Sequence, residues 1–148
     1  MDYTGFYADC YILAAERTSE MINRFLDEFL PNREAATGIY ELPQHGGQTE
    51  REFDSVAALI KFLVKETSTP YAIYWSNLEN SDLKNAMCFF TDDHCSILGL
   101  SCDTLEKGTK VEDQLIERLK AFGKTSIGYV TYECPAPTNS KEFRRLCH

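Results

Sequence analysis

The side chains in this chain best suited to chemistry are three histidines, six cysteines and a short acidic run. The histidines are His45, His94 and His148, and the cysteines are Cys10, Cys88, Cys95, Cys102, Cys134 and Cys147. No Cys-x-x-Cys pair occurs, which removes the usual zinc and thioredoxin-like signatures. The seven-residue steps from Cys88 to Cys95 to Cys102 fit no metal-ligand pattern. Most of the cysteines read as small buried hydrophobes. His94 and Cys95 are neighbours, but on a strand their side chains would point to opposite faces, so no nucleophile–base pair is expected. Asp92, Asp93 and His94, with Asp103 as a further oxygen donor, have the ligand types of a cation site. A turn whose aspartates hydrogen-bond locally is the plainer account, and no metal is expected. His45, beside Gly46-Gly47, reads as a loop histidine. The Gly-x-Ser-x-Gly elbow, Walker A, Gly-x-Gly-x-x-Gly and His-x-x-x-His are all missing. The motifs therefore lean away from an enzyme, and no cofactor is expected.

The elements that must position these residues follow from periodicity. Residues 5–14 are rich in strand formers: Phe6, Ala8, Cys10, Ile12 and Ala14 share one face, and Tyr7, Asp9, Tyr11 and Leu13 a half-wet one. Ile22, Phe25, Leu26, Phe29 and Leu30 then form one helical stripe, capped by Thr18 or Ser19 and stopped by Pro31. A short strand is expected at 37–43 and an exposed loop from Pro43 to Glu50. A second helix starts near Asp54 or Ser55, with Val56, Leu59, Ile60, Leu63 and Val64 on its stripe. Tyr71–Ser76 is a strand, and 85–91 with 95–102 a hairpin turning at Asp92-Asp93-His94. Thr109-Lys-Val-Glu112 matches a capping box for a third helix with Val111, Leu115, Ile116 and Leu119 on its stripe, and Gly123 is its expected C′ residue. Residues 125–133 form a last strand. The order β-α-β-α-β-β-β-α-β, with three amphipathic helices, predicts an α+β two-layer sandwich on a mixed, mostly antiparallel sheet. Residues 1–134 form one domain, and 135–148 a tail packed on or flanking it.

The chain has 148 residues, with 23 Asp and Glu against 15 Lys and Arg, a net charge of −8. This argues against nucleic acid as a partner, because phosphate contacts need clustered Lys and Arg. No run of about 18 apolar residues predicts a membrane span. Met1-Asp2-Tyr3-Thr4-Gly5 lacks a signal peptide's basic and apolar regions, so a cytoplasmic location is expected. The charge is uneven: residues 1–76 carry −6, residues 77–117 another −6, and residues 118–148 carry +4. The middle block places Glu79, Asp82, Asp92, Asp93, Asp103 and Glu106 in loops and turns. An acidic patch of this kind can steer a basic protein toward it.

Three segments carry a family resemblance: Gly5-Phe6-Tyr7-Ala8-Asp9-Cys10-Tyr11, Phe29-Leu30-Pro31-Asn32-Arg33-Glu34, and Tyr71-Ala-Ile-Tyr-Trp75. With the small acidic build, the chain resembles bacterial toxin-immunity proteins, or an uncharacterised bacterial domain family of that kind. The resemblance implies inhibition by binding, with no catalysis. The leading expectation is a non-catalytic binding protein whose acids Glu79, Asp82, Asp92, Asp93, Asp103 and Glu106 engage a basic partner, with Trp75 as aromatic anchor. The first alternative is a small-ligand or enzymatic domain with a pocket between helices and sheet lined by Tyr40, His45 and Tyr74. The second is an oligomeric scaffold joined through the aromatic strand at 71–76.

Overall fold

In a computed structural model the described residues are 6–14, 16–36, 38–44, 47–104 and 110–147. The chain is α+β. Its strands are β1 (Phe6–Ala14), β2 (Arg33–Ala35), β3 (Tyr40–Leu42), β4 (Arg51–Phe53), β5 (Tyr71–Asn77), β6 (Leu83–Phe90), β7 (Ser96–Thr104) and β8 (Gly128–Tyr132). Its helices are α1 (Ser19–Phe29), α2 (Val56–Lys65), α3 (Lys110–Gly123) and α4 (Ser140–Arg145). Six strands form one sheet in the order β2-β5-β6-β7-β1-β8, and β3 pairs with β4 in a separate ribbon. Every pairing is antiparallel. Among the described residues, no helix is long and apolar enough to cross a membrane.

The predicted stripes explain the helix-side layer. Ile22, Phe25, Leu26 and Phe29 of α1 are buried, as are Leu59, Ile60 and Leu63 of α2 and Leu115, Ile116 and Leu119 of α3. They meet Ala8, Cys10, Ile12, Ile73, Trp75, Cys88, Leu98 and Leu100 on one face of the sheet. Thr18 and Ser55 cap the first two helices, accepting from the amides of Met21 and Ala58. The third cap, Thr109, lies outside the described residues. Val111 falls off the expected stripe and is 39 % exposed.

One of these expectations needs correction, and two short strands were not predicted. Gly123 is the last helical residue of α3, and the left-handed turn after it is made by Lys124 at φ 52°. Gly123 instead lies close to β1: a Cβ there would lie 2.5 Å from the tip of Ile12, Cδ1, which would have to shift. An unpredicted strand follows α1: Arg33–Ala35 pairs with Asn77, Ser76 and Trp75 of β5. The Pro43–Glu50 loop leads into a strand, β4, that pairs back on β3.

The outer sheet face is drier than its sequence suggests. Tyr11 is 1 % exposed, Leu13 5 % and Asp9 7 %, although all three were expected on a half-wet face. The segment after β8 covers them: Ala136 and Phe143 pack with Tyr11, Leu13, Met87, Phe89 and Ile97 into a second apolar cluster. Tyr11 fits because its cross-strand partner is Gly99, where a Cβ would stand 2.7 Å from the Tyr11 ring.

Arg17 ties the layers together. Its guanidinium is buried and donates to five backbone carbonyls: Leu63, Thr91, Cys95, Glu66 and Thr69, at 2.8–3.1 Å. The guanidinium also stacks over Phe90, 4.9 Å from the ring centre. One side chain thereby closes the end of α2, the loop before β5 and the β6–β7 turn.

Candidate ligand-binding groove

The predicted acids separate into two groups. Glu79 and Asp82 are exposed in the β5–β6 connection, and Asp103 lies near the end of β7, beside them. The Asp103 amide donates to Asp82 O at 2.9 Å, and its carboxylate pairs with Lys84 at 3.4 Å. Asp92 and Asp93 occupy the β6–β7 turn, at the other end of β6. Eight residues of strand put the groups roughly 25 Å apart. Glu106 and His45 lie outside the described residues.

Asp93 is also engaged internally. Both its oxygens accept from the Ser140 amide at 3.0 Å, and one accepts from the Ser140 hydroxyl at 2.6 Å. Burial pushes its carboxyl up, but hydrogen bonds from Ser140 and Thr91 outweigh this and hold it below the ordinary value. On the opposite side of the turn, His94 Nδ1 lies 2.8 Å from Thr67 Oγ1. Among the described residues, no three His, Cys, Asp or Glu side chains gather as a metal set.

The aromatic candidates divide by face. Trp75 is 3 % exposed in the helix-side core, so it is not a surface anchor. Tyr40 is buried on that same side, and its hydroxyl has no hydrogen-bond partner among the described residues. Tyr74, one residue from Trp75, faces the other way and is 41 % exposed. Tyr40 and Tyr74 therefore cannot line one pocket between helices and sheet. The physical reason is strand parity: neighbouring residues of β5 serve opposite layers.

The concave surface lies mainly on the outer face instead. One cleft of about 490 Å³ is lined by Tyr7, Asp9, Tyr11, Asn85, Ser101 and Glu133, among others. A second, of about 550 Å³, runs past Tyr71, Phe89, Gln44, Glu50 and the 135–138 segment. Both include Tyr74 and Pro135, so the two clefts adjoin there and together make a groove, the second reaching round the end of β5 to Tyr71 and Phe90. The register sets its direction, with Tyr71 opposite Phe90 at one end and Ser76 opposite Asn85 at the other. Asp92 stands at the first end, where its amide donates to Thr138 O at 2.8 Å. Asp9 and Glu133 stand at the second. None of the described predicted acids lines either cleft: Asp92 adjoins the second through Thr138, and Asp103 is the cross-strand partner of Tyr7 in the first.

Asp9 is the groove's buried charge. Its Oδ2 accepts from the Cys134 amide at 3.1 Å. Burial raises its carboxyl above the ordinary value, against hydrogen bonds from Cys134 and Ser101, and the Glu133 carboxylate adds to the rise. Tyr11 donates to Cys134 O at 2.8 Å, so both polar groups of Cys134 are held by β1. This grip turns the chain sharply at Glu133, which adopts φ 52°. Asp9 and Tyr11 were grouped with a half-wet face in the sequence; only the path of the tail reveals their role.

The described lining carries three carboxylates, Asp9, Glu50 and Glu133, and no Lys, Arg or His. Its polar groups otherwise belong to backbone, amide and hydroxyl groups beside aromatic rings. The thiols of Cys88 and Cys102 are pushed up to about 12 by burial, and that of Cys10 is raised further, so none of the three is a ready nucleophile. The groove's own cysteine is Cys134, exposed and not disulfide-bonded, with its thiol 3.7 Å from the Pro135 carbonyl. Comparison of the chain with protein-family models, with curated proteins and with solved structures finds no match to any of them.

Proposed function

We propose that this chain is a binding domain whose outer-face groove holds a positively charged segment of a partner protein. One observation carries the reading: three carboxylates and the exposed rings of Tyr7 and Tyr74 line the groove, with no Lys, Arg or His among its described residues. Aromatic faces attract Lys and Arg through the ring quadrupole, by about 0.5–2 kcal/mol each depending on desolvation. The carboxylates at Asp9 and Glu133 supply the counter-charge, and exposed Asp92 adjoins the second cleft. A basic protein such as a nuclease toxin has the chemistry this groove complements, which is the partner class of an immunity-type inhibitor. No step of the proposal requires catalysis.

The test is calorimetric titration with an oligolysine peptide and, as control, an oligoglutamate peptide. Oligolysine should bind with an affinity that falls as salt rises, and oligoglutamate should not bind. Asp9→Asn keeps an oxygen acceptor for the Cys134 amide, so the fold should survive it. Together with Tyr74→Ala it should weaken oligolysine binding at least tenfold. Unchanged affinity in that double variant sinks the proposal, as does equal binding of the acidic peptide. A second reading, a small organic cation as ligand, is favoured by the 490 Å³ of the Asp9 cleft, within the size range of small-molecule sites. Binding of a monomeric aliphatic amine as tightly as the peptide would select it.

A further inference from the structure

The two edges of the sheet are built differently. At one edge, β2 is three residues long and includes Arg33 and Glu34. Beyond it, the Gln44 side chain continues the pairing, accepting from the Ala72 amide and donating to the Ala72 carbonyl, both at 2.8 Å. Short, charged, covered edges resist joining another strand. At the other edge, β8 reads Gly-Tyr-Val-Thr-Tyr, with no charge. The Leu13 amide donates to Ile127 O at 2.9 Å, and the Glu133 amide to Tyr7 O at 3.1 Å. The antiparallel ladder alternates. Residues 127, 129, 131 and 133 therefore turn their backbone groups toward β1, and Gly128 and Val130 turn theirs away from the sheet.

We infer that β8 is a dimerisation edge, and that its occupant is the β8 strand of a second copy of this chain, paired antiparallel about Val130. A two-fold through Val130 lets the two Val130 residues exchange both backbone hydrogen bonds, and it sets each Gly128 opposite the partner copy's residue 132. The flanking charges favour the same direction. Lys120 and Lys124 precede β8 and Glu133 follows it. Antiparallel pairing brings the basic end of one strand toward the acidic end of the other, whereas parallel pairing would set like charges together. Residues directly opposite in such a pair point to the same face, so both grooves open on the same side of a continuous sheet. The inference stands apart from what the groove binds.

Light scattering after size exclusion tests it. The full chain should run at twice its 16.9 kDa at micromolar concentration and dissociate on dilution. Val130→Pro removes an amide that points outward, so no bond to β1 is lost, and proline is accepted on an edge strand. This variant should keep the native circular dichroism and run as a monomer. Lys124→Glu should weaken the dimer at least tenfold, and Lys124→Glu with Glu133→Lys should restore it. A wild-type chain that stays monomeric through the micromolar range overturns the inference. So does a folded Val130→Pro variant that remains dimeric. If Val130→Pro fails to fold, the charge-swap pair decides, and failure of the swap to restore association overturns it.

Discussion

At the scale of single residues, two polar side chains serve the fold more than any partner. Arg17 spends its donors on five backbone carbonyls and faces no carboxylate at salt-bridge distance among the described residues. Burial lowers its basicity, so the charge is kept at a cost that the carbonyls offset. Arg17→Met keeps much of the apolar stem and strands those acceptors. Each buried polar group left unmet costs about 1–3 kcal/mol, and water reaches some of them. A loss of about 3–5 kcal/mol is expected in urea unfolding, and Arg17→Lys should recover less than half, because an ammonium cannot span the five acceptors. A loss under 1 kcal/mol would contradict the role. Asp93 gives a prediction with a pH sign. Its folded carboxyl lies below the ordinary 3.8. Its contribution is therefore fully present above that value and disappears as pH falls through the lower, folded one. Asp93→Ala should cost about 1–3 kcal/mol at neutral pH. It should also flatten the acid limb of the stability profile below about pH 4. An unchanged acid limb would show that the clasp on Ser140 does not titrate with folding.

At the scale of elements, most of the chain was legible because its signals are periodic. The α1 and α2 stripes and the β6–β7 hairpin follow from spacing, and each cap, Thr18 and Ser55, is one of the two candidates the sequence offers at that helix start. What was not legible depends on contacts distant in sequence. β2 and β4 are three residues each, too short to show alternation, and exist because β5 and β3 supply their hydrogen bonds. The cover on the outer face is a proline-punctuated segment with one buried aromatic, Phe143, and nothing in its sequence says which surface it meets. The groove was illegible for the same reason, since that segment forms one wall. The strap also has its own stability limit. Filling the Phe143 site contributes about 3 kcal/mol or more, but a strap held by Asp93, Cys134 and Thr138 can detach before the sheet unfolds. Phe143→Ala should therefore remove hydrogen-exchange protection from 136–147 and from little else. Global stability should fall by only about 1–2 kcal/mol, less than a buried phenylalanine usually costs. Equal loss of protection in α1 and α2 would show that the strap and the body unfold together.

At the scale of the whole molecule, the net charge of −8 acts differently on the body and on the strap. The body carries the excess of acids, and like charges repel across it. Among the described residues its ion pairs, such as Arg24–Glu16 and Arg33–Asp27, reach solvent on at least one side, and pairs of that kind contribute about 0–1 kcal/mol each. Repulsion therefore outweighs pairing, and salt that shortens the screening length to about 8 Å should stabilise the body. The strap has the opposite sign: residues 134–147 contain Lys141, Arg144 and Arg145 against Glu142 alone. Its attraction to the acidic body is one of the forces holding it down, and the same salt weakens that force. Trp75, the only tryptophan and buried beneath the helices, reports the body. Raising salt from a few millimolar to physiological should increase the Trp75-monitored stability by about 1 kcal/mol, roughly 2–4 °C in Tm. Over the same range, amide exchange in 136–147 should quicken. Opposite movement of the two signals is the diagnostic result, because a molecule held by one uniform set of charges would move both the same way. If both rise together, apolar packing alone holds the strap, and the charge of its lysine and arginines serves the partner or the solvent.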